Sequence, residues 1–581
     1  MIAPLERTEP VPVVRRPGRT GLLSALAVPI LAALVTSAWI GINFDIRYAV
    51  GGLRVAGAGG VGSFATIFVH RPLAYRAFVA ALQFLPAHVW PGSPAGPAAE
   101  FLFRFEALLL VAAAAVLLWL GLRRYRSGRL PAAVAIAVGI GFALAPNWSF
   151  LEPDWAGALF AVAAIGVALL PRRTLVAALL GGVLLLFAVT TKTVTAAFLP
   201  LALGVIALAD RRRAVLVTGW TVGLVLAWAV LTWRFEPTEW QWLHDMASLV
   251  PGSPLRVGLA DLDWRDFAKS AADMVIVSPV VLGLPAATVL LVGRATAGRR
   301  LRVLLVVLAA VLLTALPVFA QGEWFLYQWV ALPVLTAALI AVVLVDRTRT
   351  GLPAALGVLG PVLLGGLAGA LLLTAPLSWR AGRLVPVFAG YALLAVLGAA
   401  VAGGTLRRGA PGRLAGPRWL LAGVLSVVAT LGIGVANLPA AAYSFAGYEA
   451  TVTNLNLYQQ TTIRRQAFGP IRARIGPNTP VLYFAFGDIS DLLGNPTHCR
   501  YPSPVWLQRS TYLPYVRNFA SYRDNVSCLD DPTARYLVLE PSWFQVAGLA
   551  PALSAKVAAT FDCAHAISAD AGSVLFCPRR P

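Results

Sequence analysis

Charge is what this sequence has least of. Only 13% of its 581 residues are Asp, Glu, Lys or Arg, about half the roughly 25% of soluble domains. Another 58% are hydrophobic, in runs long enough to exclude a soluble globular protein and to specify a polytopic membrane protein. Lysine is nearly missing: Lys192, Lys269 and Lys556 are the only ones. The formal charge of +21 is thus carried by arginine, which with the abundant Ala, Gly and Pro reads as the coding bias of a GC-rich genome. Most arginines sit in short clusters between apolar runs, so no nucleic-acid partner is expected. Cysteine is as scarce. There are four, Cys499, Cys528, Cys563 and Cys577, all after the last apolar run and with no CxxC pair, which argues against a zinc site.

What remains is apolar chain punctuated by arginine. At about 20 residues per span, the runs predict about thirteen transmembrane helices, near 21–42, 101–122, 130–146, 155–170, 174–190, 193–209, 214–232, 272–293, 301–319, 325–345, 352–376, 384–404 and 419–437. Under this count Arg15-Arg16, Arg123-Arg124, Arg172-Arg173, Arg211-Arg212-Arg213, Arg299-Arg300, Arg347/Arg349 and Arg407-Arg408 fall on one side. The positive-inside rule makes that side cytoplasmic. The reading divides the chain into a cytoplasmic basic tail (1–20), a transmembrane domain (21–437) and an extracytoplasmic domain (438–581) in the cell envelope.

The C-terminal segment reads as a small α/β domain. Val481–Phe486 and Tyr536–Glu540 are apolar runs of strand length, and 451–473, 511–524 and 543–557 carry helical spacing. An even number of cysteines in one extracytoplasmic region reads as two disulfides, with Cys499–Cys528 and Cys563–Cys577 the local choice among three pairings. Ser490, His498 and Asp488 are present but do not form a convincing triad.

The chemistry-bearing residues gather in loops on the side opposite the arginine clusters. The first loop holds Asp45, Arg47, Arg54, His70, Arg71 and Arg76; the next holds Glu152 and Asp154. A later one carries Trp240, Trp242 and Trp264, which could anchor at the interface or stack on sugar, and Glu323 and Tyr327 open another run. A lone lysine in apolar chain, Lys192, is costly unless paired or facing a cavity. Asp45 and Asp154 could share a divalent metal, although no His/Cys ligand spacing demands one.

One acid and four motifs, in order, resemble features of membrane glycosyltransferases of the GT-C fold, particularly the protein mannosyltransferase and aminoarabinose transferase branch. An acid soon after the first span is matched by Asp45. A His-Pro-Pro-Leu-like motif is matched by His70-Arg71-Pro72-Leu73, with Arg for the first Pro. Leu151-Glu152-Pro153-Asp154-Trp155 and Thr191-Lys192 follow, and Tyr327-Gln328-Trp329-Val330-Ala331-Leu332-Pro333 matches a tyrosine-rich helix start. The resemblance implies an enzyme that moves a sugar, with inversion, from a polyprenyl-phosphate donor to an acceptor hydroxyl on the wall, a lipid or a protein. It implies Asp45 as general base, and Arg71, Arg76, Lys192 and His70 on the donor phosphate. Asp154, Glu152, Glu323 and Tyr327 would orient groups or bind acceptor. Two alternatives remain at this stage: a transporter or flippase, and a non-catalytic envelope scaffold.

Overall fold

The computed structural model describes residues 29, 31–36, 40–89, 96–248, 263–345, 351–408, 427–428, 430–447, 449–508 and 516–581. The basic segment 1–20, parts of the expected spans 21–42 and 419–437, and part of the expected helix 511–524 lie outside the described residues.

Among the described residues, six helices are long and apolar enough to cross a membrane: Pro97–Leu122, Arg211–Phe235, Ala297–Gln321, Leu326–Val345, Leu352–Leu372 and Leu384–Arg407. Trp264–Val277 with Pro279–Arg294 make a seventh if taken as one span, bent by 94°. The break falls where Pro279 removes a helical N–H and turns Ser278 away from the α region. The expected count of about thirteen is therefore corrected to six or seven among the described residues. Leu130–Ala143, Pro153–Leu169, Thr174–Thr190 and Thr193–Ala209 are apolar but shorter, and 17 residues rise only about 25 Å.

Hydropathy overcounted because apolar residues here serve two solvents. Pro153–Leu169 is apolar all round and buries fourteen of its 17 residues inside the protein, as a core helix does. It closes on Pro97–Leu122 through glycine: a Cβ on Gly166 would stand 2.4 Å from the Leu117 carbonyl carbon. Arg211–Phe235 is the opposite case. It buries only Arg213, Ala214, Val217, Thr221 and Thr232 and exposes Val215, Leu226, Val230 and Trp233, the outward apolar surface that lipid tails cover.

The C-terminal region contains a four-stranded sheet. β1 (Val481–Phe484) pairs parallel with β2 (Tyr536–Leu539). Both lie within runs read as strands from the sequence. β4 (Val574–Pro578) runs antiparallel to β2, and β3 (Ile567–Ala569) antiparallel to β4; these two are short and were not anticipated. Both disulfides take the local pairing, Cys499–Cys528 and Cys563–Cys577. The helix Asn454–Ile475, started by a Thr453/Asn456 capping box, lays Phe468 and Ile475 on Val481, Tyr483 and Phe576.

This region is locked onto the bundle through the short helix Phe44–Ala58. Its contact with Gly487–Leu493 is closer than any side chain allows: a Cβ on Gly487 would overlap the Tyr48 ring at 1.8 Å. Beside it, Arg47 makes a two-pronged pair with Glu100 (2.6 and 2.7 Å), and Arg465 from the C-terminal region donates to the same carboxylate at 2.5 Å. Asp491 lies 3.7 Å from Arg47.

Candidate active site

The backbone around three loops is held in conformations that place their charges on one cavity. Asn43 caps the helix Phe44–Ala58, accepting from the Ile46 N–H at 3.0 Å, and so puts Asp45 in its first turn. His70, with φ of 56°, sits in the left-handed region that costs a non-glycine residue of order 1 kcal/mol or more. It turns the chain before Pro72 and presents Arg71. Leu151 (φ 72°) makes the same kind of turn before Glu152, and its carbonyl accepts from the Tyr75 hydroxyl at 2.7 Å. Trp324 (φ 60°) follows Glu323. Among the described residues, three of the five non-glycine residues at positive φ thus lie in or beside the site, as stored strain tends to do.

The cavity has a volume of about 1210 Å³ and is lined by Asp45, His70, Arg71, Glu152, Lys192, Glu323 and Tyr327 among others. Arg71 Nη2 lies 3.6 Å from Asp45 Oδ2 and 3.6 Å from Glu152 Oε2, so one guanidinium faces two carboxylates. Asn43 Nδ2 donates to Glu152 Oε1 at 3.1 Å. Lys192 follows the helix Thr174–Thr190 in an extended conformation; its Nζ reaches Asp154 Oδ2 at 2.8 Å and stands 4.9 Å over the Tyr327 ring. Gln321 donates to Glu323 at 2.7 Å.

Burial sets the protonation states. Glu152 is pushed up to about 8, first by burial and then by the Asp45 charge, with Arg71, Asn43 and Lys192 pulling the other way. Burial also raises the Asp45 carboxyl, opposed by Arg71 and Lys192, although 27% of its side chain is open to the cavity. Two acids sharing one cation cannot ionise with equal ease. Glu152 is fully enclosed while Asp45 opens to the cavity, so Asp45 is the acid that a bound hydroxyl can reach.

Two expected site residues lie elsewhere. Arg76 is fully buried away from the cavity, paired with Glu239 and donating to the carbonyls of Phe64, Ala65 and Ile67. Its guanidinium is taken up by Glu239 and three carbonyls, and it does not line the cavity. Asp154 is buried and does not line the cavity; it touches the site through Lys192. Among the described residues, no group of three or more His, Cys, Asp and Glu is placed to hold a metal ion, and Asp154 gives Oδ2 to Lys192. Trp242 stacks on Phe68 at 4.4 Å and donates to Tyr501, while Trp240 donates to Thr232 and Trp264 packs on Phe319. None of the three lines the cavity.

The structure also adds residues that the sequence did not single out. Glu449, pushed up to about 7 by burial and the Asp45 charge, lines the cavity with Phe44, Trp148, Phe486, Ser503, Trp506 and Trp543. Glu449, Phe486, Trp506 and Trp543 come from the C-terminal region, more than 400 residues from Asp45, and no local spacing announces them.

No family model and no curated protein sequence matches this chain. Solved structures do. ArnT from Cupriavidus metallidurans bound to undecaprenyl phosphate superposes with a TM-score of 0.54 at 16% identity, over 97% of this chain and 98% of that one. Its apo form gives 0.49 at 15% identity over the same shares. The oligosaccharyltransferase AglB from Archaeoglobus fulgidus, in complex with an inhibitory peptide and a dolichol-phosphate, gives 0.38 at 12% identity, over 95% and 74%. At such identity the likeness to ArnT speaks for the fold: this chain is a multi-pass membrane protein with the GT-C fold.

Proposed function

We propose that the protein is an inverting glycosyltransferase that uses a polyprenyl-phosphate sugar and an acceptor hydroxyl. One observation carries this reading: a single large cavity brings one available carboxylate, Asp45, within 3.6 Å of a cation, Arg71, beside a second cation, Lys192. Inversion by direct displacement needs one base and a stabilised phosphate leaving group. The acceptor oxygen attacks the anomeric carbon, its proton passes to Asp45, and the carbon–oxygen bond to phosphate breaks. Polyprenyl phosphate then leaves with the negative charge. Arg71 and Lys192 would meet that charge with charge-assisted hydrogen bonds, and His70 lines the same wall. Asp154 would aim Lys192, and Glu152 would hold the Arg71 guanidinium beside Asp45. Glu323 and Tyr327 would contact the donor.

The ArnT structure was solved with undecaprenyl phosphate, which fits a lipid-phosphate donor for the same fold. Two disulfides in the C-terminal region fit an oxidising compartment, so we place the cavity on the extracytoplasmic side and the N-terminus in the cytoplasm. The acceptor would then be a wall, lipid or protein hydroxyl of the envelope. The test is sugar transfer from radiolabelled polyprenyl-phosphate sugars in membranes holding wild type or Asp45→Asn. The variant should lose about a hundredfold or more at unchanged expression. Full activity in Asp45→Asn would move the base elsewhere, and no transfer from any carrier would favour a transporter or a scaffold.

A further inference from the structure

The cavity has two unlike halves. The half built by the transmembrane bundle carries the cations and Asp45. The half built by the C-terminal region carries rings that run on into rings of the bundle: Trp543 and Phe486 meet edge to face at 5.5 Å, and Phe486 meets Phe44 at 5.6 Å. Phe44 meets Trp148 at 4.9 Å, and all four line the cavity. They form a continuous row from the C-terminal region to the residue next to Asp45.

We propose that the acceptor is a carbohydrate chain, received along the row Trp543, Phe486, Phe44 and Trp148 with Glu449 on its hydroxyls. The inference rests on the glycosyl-transfer reading and names its acceptor class. Sugar rings present a face of C–H groups and a rim of hydroxyls. They therefore suit aromatic faces with a polar group between them, the composition of a specific ligand site. A lipid acceptor would ask for an uninterrupted apolar wall, and this wall carries Glu449, Thr451 and Ser503. A peptide recognised by strand addition would need a sheet edge open to the cavity, and no residue of the four strands lines it.

The row is fixed in place before any ligand arrives. Glu540 accepts from the Phe486 N–H at 2.8 Å and from Arg464 at 3.1 Å. Its own carbonyl accepts from the Trp543 N–H at 3.1 Å, so one residue holds both rings. Arg464 is in turn held by Asp488 and Asp570. Glu449 is set by a second clamp. Asp273 accepts from Ser444 and from the backbone N–H groups of Phe445, Ala446 and Gly447. Arg380 donates to the carbonyls of Ser444, Phe445 and Ala450. Rigid walls of this kind reduce the entropy lost on binding.

The experiment uses the full chain in detergent and two probes, short pentose and hexose oligosaccharides and a short-chain polyprenyl phosphate, with binding read by calorimetry. Wild type should bind both. Trp543→Ala and Phe486→Ala should each weaken the best oligosaccharide about tenfold and leave polyprenyl-phosphate binding unchanged, which also reports a folded cavity. Trp543→Tyr should restore most of the loss. If the carrier binds but no oligosaccharide does, the acceptor class is overturned and the donor reading survives. If neither probe binds, both readings fall. Unchanged oligosaccharide binding in both alanine variants would remove the row from the acceptor site.

Discussion

Glu100→Gln offers the most direct test of how the C-terminal region is held. The carboxylate accepts both prongs of Arg47, the Arg465 guanidinium and, at 3.3 Å, the Ile42 N–H. Arg47 is only 1% exposed, and Glu100 6%. Removing one partner of a buried pair costs about 3–5 kcal/mol, because the other charge is left without compensation. Two features soften this: the Gln oxygen still accepts one bond, and Asp491 remains 3.7 Å from Arg47. A loss near the lower end, about 3 kcal/mol, is expected. At about 2 °C per kcal/mol for a large chain, that is a fall of roughly 6 °C in the melting temperature. The assay is thermal unfolding of the detergent-solubilised protein, with limited proteolysis to show whether the C-terminal region loosens first. The control is Lys269→Ala, which breaks a pair whose partners are each about half exposed and should cost less than about 1 kcal/mol. Equal melting of Glu100→Gln and wild type would refute the reasoning, because water or Asp491 would then be compensating Arg47 fully.

Four further outcomes follow from the same geometry. Asp154→Asn releases Lys192 from its 2.8 Å partner and should lower transfer about a hundredfold with melting little changed; undiminished transfer would show that Lys192 needs no such support. Glu152 is raised from 4.5 to about 8 in the fold, so its contribution to stability is fully present below 4.5 and is lost as pH rises through about 8. Glu152→Gln should flatten melting temperature against pH across that window, and parallel curves would argue that the carboxyl is not shifted. Opening Cys499–Cys528, which closes a 29-residue separation, with paired serines should cost about 3–4 kcal/mol, read as earlier proteolysis of the C-terminal region. Arg76→Met leaves Glu239 buried without its partner and should destabilise by about 3–5 kcal/mol; a folded variant impaired only in donor binding would restore Arg76 to the phosphate.

Several features were legible because they depend on local chemistry. Cysteines confined to 499–577 were readable as disulfides, since sequence-near thiols in one region have few partners. The strand runs at Val481 and Tyr536 showed as short buried stretches, whereas β3, three residues long, is below what periodicity detects. Asp45, Arg71, His70 and Lys192 stood out because a charge beside apolar chain is costly wherever it ends up. The same argument could not tell Arg71, which faces the cavity, from Arg76, whose charge is taken up by Glu239 and three carbonyls. That difference lies in the partner, 163 residues away.

Composition alone determined that the protein lives in a membrane, because so few charges cannot dress a soluble surface. Local motif order brought the GT-C resemblance and most of the charged half of the cavity. Tertiary structure alone decided how many helices can span, because hydropathy cannot distinguish a helix wrapped in protein, such as Pro153–Leu169, from one wrapped in lipid, such as Arg211–Phe235. It alone brought Glu449, Phe486 and Trp543 to Asp45, since contacts across more than 400 residues are set by packing and leave no periodic trace in the chain.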